Sequence, residues 1–292
     1  MRRNPASERL QFITAVVLYG TIGLFLRSVH LPSEIVALCR GVIGSGFIYL
    51  YQRIRGKRLD RAAVKNNLGW LLLSGACLGL NWIFLFMAYL HTTVAIASLC
   101  NYMAPIIVIL LAPFALHEKI ERRKIPCVAA AFVGIVLVSG VFGRGLGSLS
   151  GVAMGLAAAA CFVGIILCNR KLRDIEAMDR VIIQLAASAA TVLPYVLVRN
   201  VGAPITVDTQ SVLIILLLGF VHTGLAYCFW FSGMGSLPVQ TIAILGYLEL
   251  VVSVLCSVIF LHESMGAAGW IGAVLILGAA VVSETIGEKK SA

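Results

Sequence analysis

Charge is what this sequence has least of. Only 12% of its 292 residues are charged, against 60% apolar, whereas soluble domains carry about 25% charged residues. That shortage excludes an ordinary water-soluble enzyme or binding module. Paired cysteines are missing as well. The eight cysteines, at 39, 77, 100, 127, 161, 168, 228 and 256, lie inside or at the edge of apolar runs, with no Cys-x-x-Cys. A disulfide framework and a zinc site are therefore excluded, and these cysteines read as small packing residues. No metal or cofactor is expected. No phosphate-binding glycine loop occurs, which removes an ATP-driven pump unless a separate chain supplies the nucleotide site. His-Glu occurs twice but never as His-Glu-x-x-His, and the five histidines are scattered towards the ends of apolar runs. An intramembrane enzyme would lack its ligand set or its nucleophile and base. The basic start, Met1 to Arg9, leads into a full-length apolar run without a small-residue cleavage pattern, so no removable signal is expected.

Long apolar runs fill the rest. A helix of about 20 residues crosses a hydrocarbon core, and in lipid the backbone must satisfy its own polar groups, which favours helices over open strands. Ten spans are expected, at 11–27, 35–51, 68–90, 94–116, 126–142, 151–168, 181–198, 212–234, 239–261 and 265–282. The fold class expected is an all-α integral membrane protein with ten transmembrane helices in the lipid bilayer. Short connections predict that consecutive helices pack as antiparallel neighbours.

The net charge of +10 could suggest nucleic acid, but its placement argues otherwise. Of the 23 basic residues, all but Arg27, Arg40, Arg144 and Arg199 fall at the N-terminus, in alternate loops and in the tail. Basic loops face the cytoplasm, so both termini are expected there, in a multi-pass plasma (inner) membrane protein. The charge is a topology signal, and no nucleic-acid partner is expected.

The chain also repeats itself. Residues 79–118 return at 224–263 after a shift of 145, with ten of the forty aligned positions identical; chance in this composition gives roughly one in ten. Gly79 matches Gly224, Phe84 matches Phe229, Phe86 matches Phe231 and Tyr102 matches Tyr247, and both copies close on His-Glu. Spans three and four thus match eight and nine, making a unit of five helices. An odd number inserts the second copy upside down, so 10–142 and 149–285 are expected as two inverted five-helix repeats. Inverted repeats build alternating-access transporters, with a site near the midplane.

Polar residues deep in spans are functional candidates. Glu249 lies eleven residues into its span, about 15 Å deep. There it can bind a substrate ammonium, carry a coupling proton, or pair with a fixed cation such as Arg40. Arg40 lies about 8 Å below the outer surface; it can snorkel or anchor a substrate carboxylate with its planar fork. Tyr102 and Tyr247 are the symmetry-matched pair, with Asn101 beside the first. Trp82 and Tyr227 are matched likewise, and Trp230 follows one turn later. These rings suggest an aromatic-walled pocket for apolar or aromatic solutes, or simply helix contacts and interfacial belts. Tyr19, Asn81, Gln184 and Gln240 are weaker candidates that can serve as interhelical hydrogen bonds. Pro105 predicts a kink, Gly75-x-x-x-Gly79 and Gly151-x-x-x-Gly155 predict close helix contacts, and Glu118 and Glu263 are expected to bond the loop that follows each.

At Asn101-Tyr102-Met103-Ala104-Pro105 through Leu116-His117-Glu118, and at Tyr247-Leu248-Glu249 through Leu261-His262-Glu263, the chain resembles the drug/metabolite transporter superfamily, specifically its EamA-like branch. Arg40 and the Gly20 to Gly23 stretch match that pattern too; Leu250 departs from it, standing where a proline is customary. The resemblance implies ten helices, inverted repeats and a pocket drawn from spans one, three, four, six, eight and nine. It also implies a secondary transporter for amino acids, related metabolites or amphipathic compounds, mostly an exporter. Asn101-Tyr102 with Pro105 is similar to the aromatic amino-acid exporters, though Met103-Ala104 replaces a bulkier pair. The expected function is export of a small organic solute, with protons as a coupling partner. An uptake permease or facilitator is the alternative, and a receptor the alternative of another class. The glycine-rich helices can pack within one chain or between two, which leaves a homodimer open.

Overall fold

The computed structural model describes residues 5–111, 123, 125–138, 149–199, 207–233 and 245–288. Among them there are helices and no strand: α1 (Pro5–Leu26), α2 (Ser33–Ile54), α3 (Arg61–Asn66), α4 (Leu68–His91), α5 (Val94–Asn101), α6 (Ala104–Leu111), α7 (Ile125–Val138), α8 (Leu149–Asn169), α9 (Ala177–Arg199), α10 (Thr209–Gly219), a π-helical turn (Phe220–Leu225), α11 (Ala226–Gly233), α12 (Leu248–Ile259) and α13 (Ala267–Glu288).

Among the described residues, seven stretches are long and apolar enough to cross a membrane: Ser7–Leu26, Ser33–Ile54, Leu68–His91, Val94–Leu111, Leu149–Asn169, Ala177–Arg199 and Thr209–Gly233. Ile125–Val138, Leu248–Ile259 and Ala267–Val282 are apolar but shorter. Large side chains such as Leu72, Leu73, Val133, Leu213 and Val274 point outward, an apolar surface suited to hydrocarbon rather than water. This is an all-helical, multi-pass membrane protein.

The fourth span divides earlier than expected. α5 stops at Asn101, and a tight turn held by Met103 N–H to Cys100 O (3.1 Å) leads into α6. Pro105 then sits at the second residue of α6, where its missing N–H costs no helical bond. The break precedes the proline and lies beside Tyr102.

Consecutive helices are not the main neighbours. The most extensive packing joins α4 to α8 and α9, α2 to α9, α1 to α11 and α12, and α7 to α13, while α2 with α4 and α4 with α5 touch far less. Small residues explain this choice. A Cβ on Gly75 would lie 2.5 Å from Ala187 Cβ and 2.6 Å from Gln184 O, and one on Gly79 would lie 2.9 Å from Ser188 O. The α4 backbone therefore rests directly on α9. On α8, Gly151 and Gly155 meet Thr92 and Cys100 in the same way. The α1 helix approaches α12 just as closely at Gly20, whose Cβ would lie 2.7 Å from Glu249 O.

At the basic end α3 forms a short helix that hydrophobic periodicity does not reveal. Asp60 caps it through Ala62 N–H and Ala63 N–H, both at 3.0 Å. Asp179 ties it to the bundle, accepting from Gln52 Nε2 and Asp60 N–H at 3.0 Å each.

Candidate functional site

The break before α6 and the start of α12 face each other, and a cavity of about 300 Å³ lies between them. Asn101, Tyr102, Ala104 and Pro105 form one wall; Gly246, Tyr247 and Glu249 form the opposite one; Phe162 and Trp230 close the sides. Such a volume is at the small end of the ~300–1,000 Å³ range of small-molecule sites. The two matched tyrosines meet here, with ring centres 6.4 Å apart and planes at 50°. The Tyr102 hydroxyl points to Gly246 O at 3.5 Å.

Asn101 is held from behind. Its Oδ1 accepts from Asn81 Nδ2 at 3.0 Å, and that same nitrogen donates to Ala158 O on α8 at 2.8 Å. Farther along α5 and α12, Ser98 and Ser253 share a hydrogen bond of 2.7 Å. The neutral polar residues of α4 and α9 act as interhelical ties: Gln184 Nε2 donates to Ser74 Oγ and Asn169 Oδ1.

Five of the eight residues singled out from the sequence therefore line the cavity: Asn101, Tyr102, Trp230, Tyr247 and Glu249. The other three stand one layer back. Arg40 does not snorkel; its residue is 3% exposed. Its guanidinium lies 4.4 Å from the Trp82 ring centre and 5.5 Å from that of Phe86. Arg40 does not pair with Glu249 either. The ion pairs among the described residues are Arg27–Glu263, His30–Asp208 and Lys57–Glu176. Instead Arg40 Nε donates to Thr223 Oγ1 at 3.1 Å. Thr223 sits in the π-helical turn, and its hydroxyl donates a hydrogen bond to Leu218 O, five residues back. Trp82 is the buried floor beneath Arg40, and Tyr227 belongs to an aromatic cluster. Tyr227 meets Tyr19 edge-on at 5.7 Å, and Tyr19 reaches Trp230 at 5.8 Å.

The pocket implied for spans one, three, four, six, eight and nine is lined from α5, α6, α8, α11 and α12. The α1 and α4 helices reach it through a second layer, with Tyr19, Asn81 and Trp82. Sequence reasoning passed over His222 and Thr223, although a buried His-Thr pair inside an apolar span was a usable signal. His222 Nε2 shares a 3.0 Å hydrogen bond with Thr21 Oγ1.

Glu263 does more than bond its own loop. Its carboxylate accepts from Arg27 Nη2 at 2.6 Å, from Val94 N–H at 2.8 Å and from Ser257 Oγ at 2.5 Å. Arg27 Nη2 also donates to Thr92 O. Three distant segments, the ends of α1 and α12 and the start of α5, are thus tied on one carboxylate. Glu118 and Gln240 lie outside the described residues.

Fold and composition define a helical membrane protein that crosses the bilayer several times. The particular class follows from comparison: the chain belongs to the EamA-like transporter family, whose model matches residues 7–140 and again 149–285. It is 24% identical over 282 residues to a Bacillus subtilis (strain 168) protein named "Uncharacterized transporter YxxF", covering 91% of this chain and 90% of that one. It is 26% identical to "Protein PecM" of Dickeya dadantii (strain 3937), over 93% and 90%. With a Salmonella typhimurium (strain LT2) "Probable amino-acid metabolite efflux pump" it shares 28% identity over 57% of this chain and 59% of that one. A solved crystal structure superimposes with a TM-score of 0.67 at 22% identity, covering 96% of this chain and 98% of the other, a likeness of fold. The protein is a transporter.

Proposed function

We propose that this transporter exports small organic metabolites, amino acids or aromatic and amphipathic compounds, across the plasma membrane. It works by alternating access between two inverted five-helix halves, 10–142 and 149–285, with both termini cytoplasmic. The carrying observation is the cavity itself, where Tyr102 and Tyr247 meet beside Glu249. The walls are aromatic, the carboxylate has no ion-pair partner among the described residues, and one small solute fills the space. Asn101, Tyr102, Trp230, Tyr247 and Glu249 contact the solute, while Arg40, Trp82 and Tyr227 shape the wall behind it. Glu249 binds an ammonium group or carries a coupling proton. The Salmonella relative's name supports the outward direction and the amino-acid class.

The deciding experiment is counterflow in proteoliposomes loaded with a mixed amino-acid and amine pool, wild type beside Glu249→Gln. Wild-type movement of a solute that Glu249→Gln abolishes while remaining folded supports the reading. Equal movement by both proteins removes Glu249 from the mechanism. Repeating the assay at two pH values separates the roles: proton coupling makes the rate follow the imposed gradient, direct binding does not.

A further inference from the structure

At the basic end of the bundle a cavity of about 620 Å³ opens where α3 and α4 meet the turn that joins α8 to α9. Its lining carries both signs of charge: Lys171 and Arg173 bring cations, Asp60 and Asp174 carboxylates. All four residues are exposed, and none belongs to an ion pair among the described residues. The turn that carries three of them is fixed in place. Asn67, buried ahead of α4, donates from Nδ2 to Arg173 O at 2.8 Å and accepts Arg173 N–H on Oδ1 at 2.9 Å. Asp174 follows in the left-handed region, at φ 50°. Trp70 completes the lining and is itself exposed. Leu73 and Leu80, three and ten residues on, are exposed too, and at 3.6 residues per turn all three fall within about 80° of one another. A recess of mixed charge thus caps an apolar stripe that runs down a membrane-spanning helix.

We propose that this recess binds the headgroup of a phospholipid that joins a phosphate to a primary ammonium, as phosphatidylethanolamine does. Lys171 and Arg173 take the phosphate, Arg173 with its planar fork, and Asp60 and Asp174 accept charge-assisted hydrogen bonds from the ammonium. The glycerol lies against Trp70, since indoles anchor at the membrane–water boundary, and an acyl chain follows Leu73 and Leu80. Charge balance selects the occupant. An anionic headgroup such as phosphatidylglycerol leaves both carboxylates without a counter-charge, and a choline headgroup brings a cation with no N–H to donate. A free phosphate satisfies the cations but leaves the apolar stripe unused. The recess shares no lining residue with the Glu249 cavity, so the lipid site stands whatever solute that cavity takes.

Thermal melting of the purified full-length protein in detergent is followed with added phosphatidylethanolamine, phosphatidylcholine or phosphatidylglycerol of the same acyl chains. Phosphoethanolamine, the headgroup without chains, is the fourth probe. Phosphatidylethanolamine is expected to bind about fivefold more tightly than either other lipid, the upper end of what one exposed ion pair contributes. Phosphoethanolamine is expected to give no stabilisation at the same concentration. Asp60→Asn combined with Asp174→Asn removes both carboxylates while respecting the backbone, because asparagine caps a helix and tolerates the left-handed conformation. That variant is expected to lose the preference for phosphatidylethanolamine over phosphatidylglycerol. Arg173→Gln keeps the backbone bonds to Asn67 and is expected to weaken both lipids about fivefold. Equal stabilisation by the three lipids, a preference for phosphatidylglycerol, or no response to any probe overturns the proposal. So does a preference for phosphatidylethanolamine that persists in the double asparagine variant, or unchanged lipid affinity in Arg173→Gln. A response to phosphoethanolamine as large as that to the lipid makes this a site for soluble phosphates and overturns the lipid assignment.

Discussion

Arg40 and Trp82 work as one unit. The indole supplies the face on which a buried guanidinium rests, an interaction worth about 2 kcal/mol when both partners are desolvated. Trp82→Ala is expected to destabilise the protein by about 3–5 kcal/mol, the usual cost of emptying a core aromatic. Trp82→Phe keeps a ring beneath the cation and should lose markedly less. Thermal melting in one detergent checks the order: wild type, Trp82→Phe, Trp82→Ala. At this scale much of the cavity was legible. The repeat singled out Tyr102 and Tyr247, and depth within a span singled out Glu249. What the sequence did not reveal was the angle at which each side chain leaves its helix. Arg40 could have pointed to the interface or to Glu249; a threonine 183 positions away decides otherwise. The Tyr19 hydroxyl, buried without a hydrogen-bond partner among the described residues, was invisible for the same reason, since lacking a partner is a property of the packed neighbourhood.

Among the elements, α4 on α9 and the tie on Glu263 make separate demands. Replacing Gly75 by alanine puts a methyl group 2.6 Å from a backbone oxygen of α9, where no flexible side chain can give way. Overpacking of this kind costs about 1–3 kcal/mol, so Gly75→Ala is expected to lower the melting temperature while the same change at Gly69, which has open space, is neutral. Glu263→Gln keeps the shape of the side chain but removes the charge shared by Arg27, Val94 and Ser257. The pair is partly exposed, with side chains 30% and 13% accessible, and solvent screening weakens it. The buried amide at the start of α5 is the more sensitive partner. Its hydrogen exchange is expected to quicken about tenfold in Glu263→Gln, with α8 unchanged. Small-xxx-small spacing made the α4–α9 contact legible. The Glu263 tie was not, because it joins residues 169 and 236 positions apart, beyond the reach of any local pattern.

For the whole molecule, the distribution of Lys and Arg carries the topology argument. If the two halves are inverted, reporter fusions after residue 142 and after residue 200 fall on the outer side, and fusions after residue 60, after residue 175 and at the C-terminus fall inside. Alkaline phosphatase, active only outside, paired with a fluorescent protein that folds only inside, reads each position; a mismatch between residues 142 and 175 would break the inverted arrangement. The helical membrane class was legible from composition alone, because hydropathy is a sum over many residues. Which helices would touch was not, because that depends on where small residues fall on both faces of a contact at once.

The π-helical turn at Phe220–Leu225 has one further consequence. It holds one residue more than a regular helix would need for the same rise, and one residue amounts to about 100° of rotation. Everything that follows in α11 is therefore aimed by that surplus residue. Deleting Val221 alone would let the helix run regularly with Tyr227 and Trp230 still facing Tyr19, whereas inserting an alanine beside it would turn both rings about a quarter turn away. Gain of one amino acid with no chemistry of its own should then silence transport more completely than its loss.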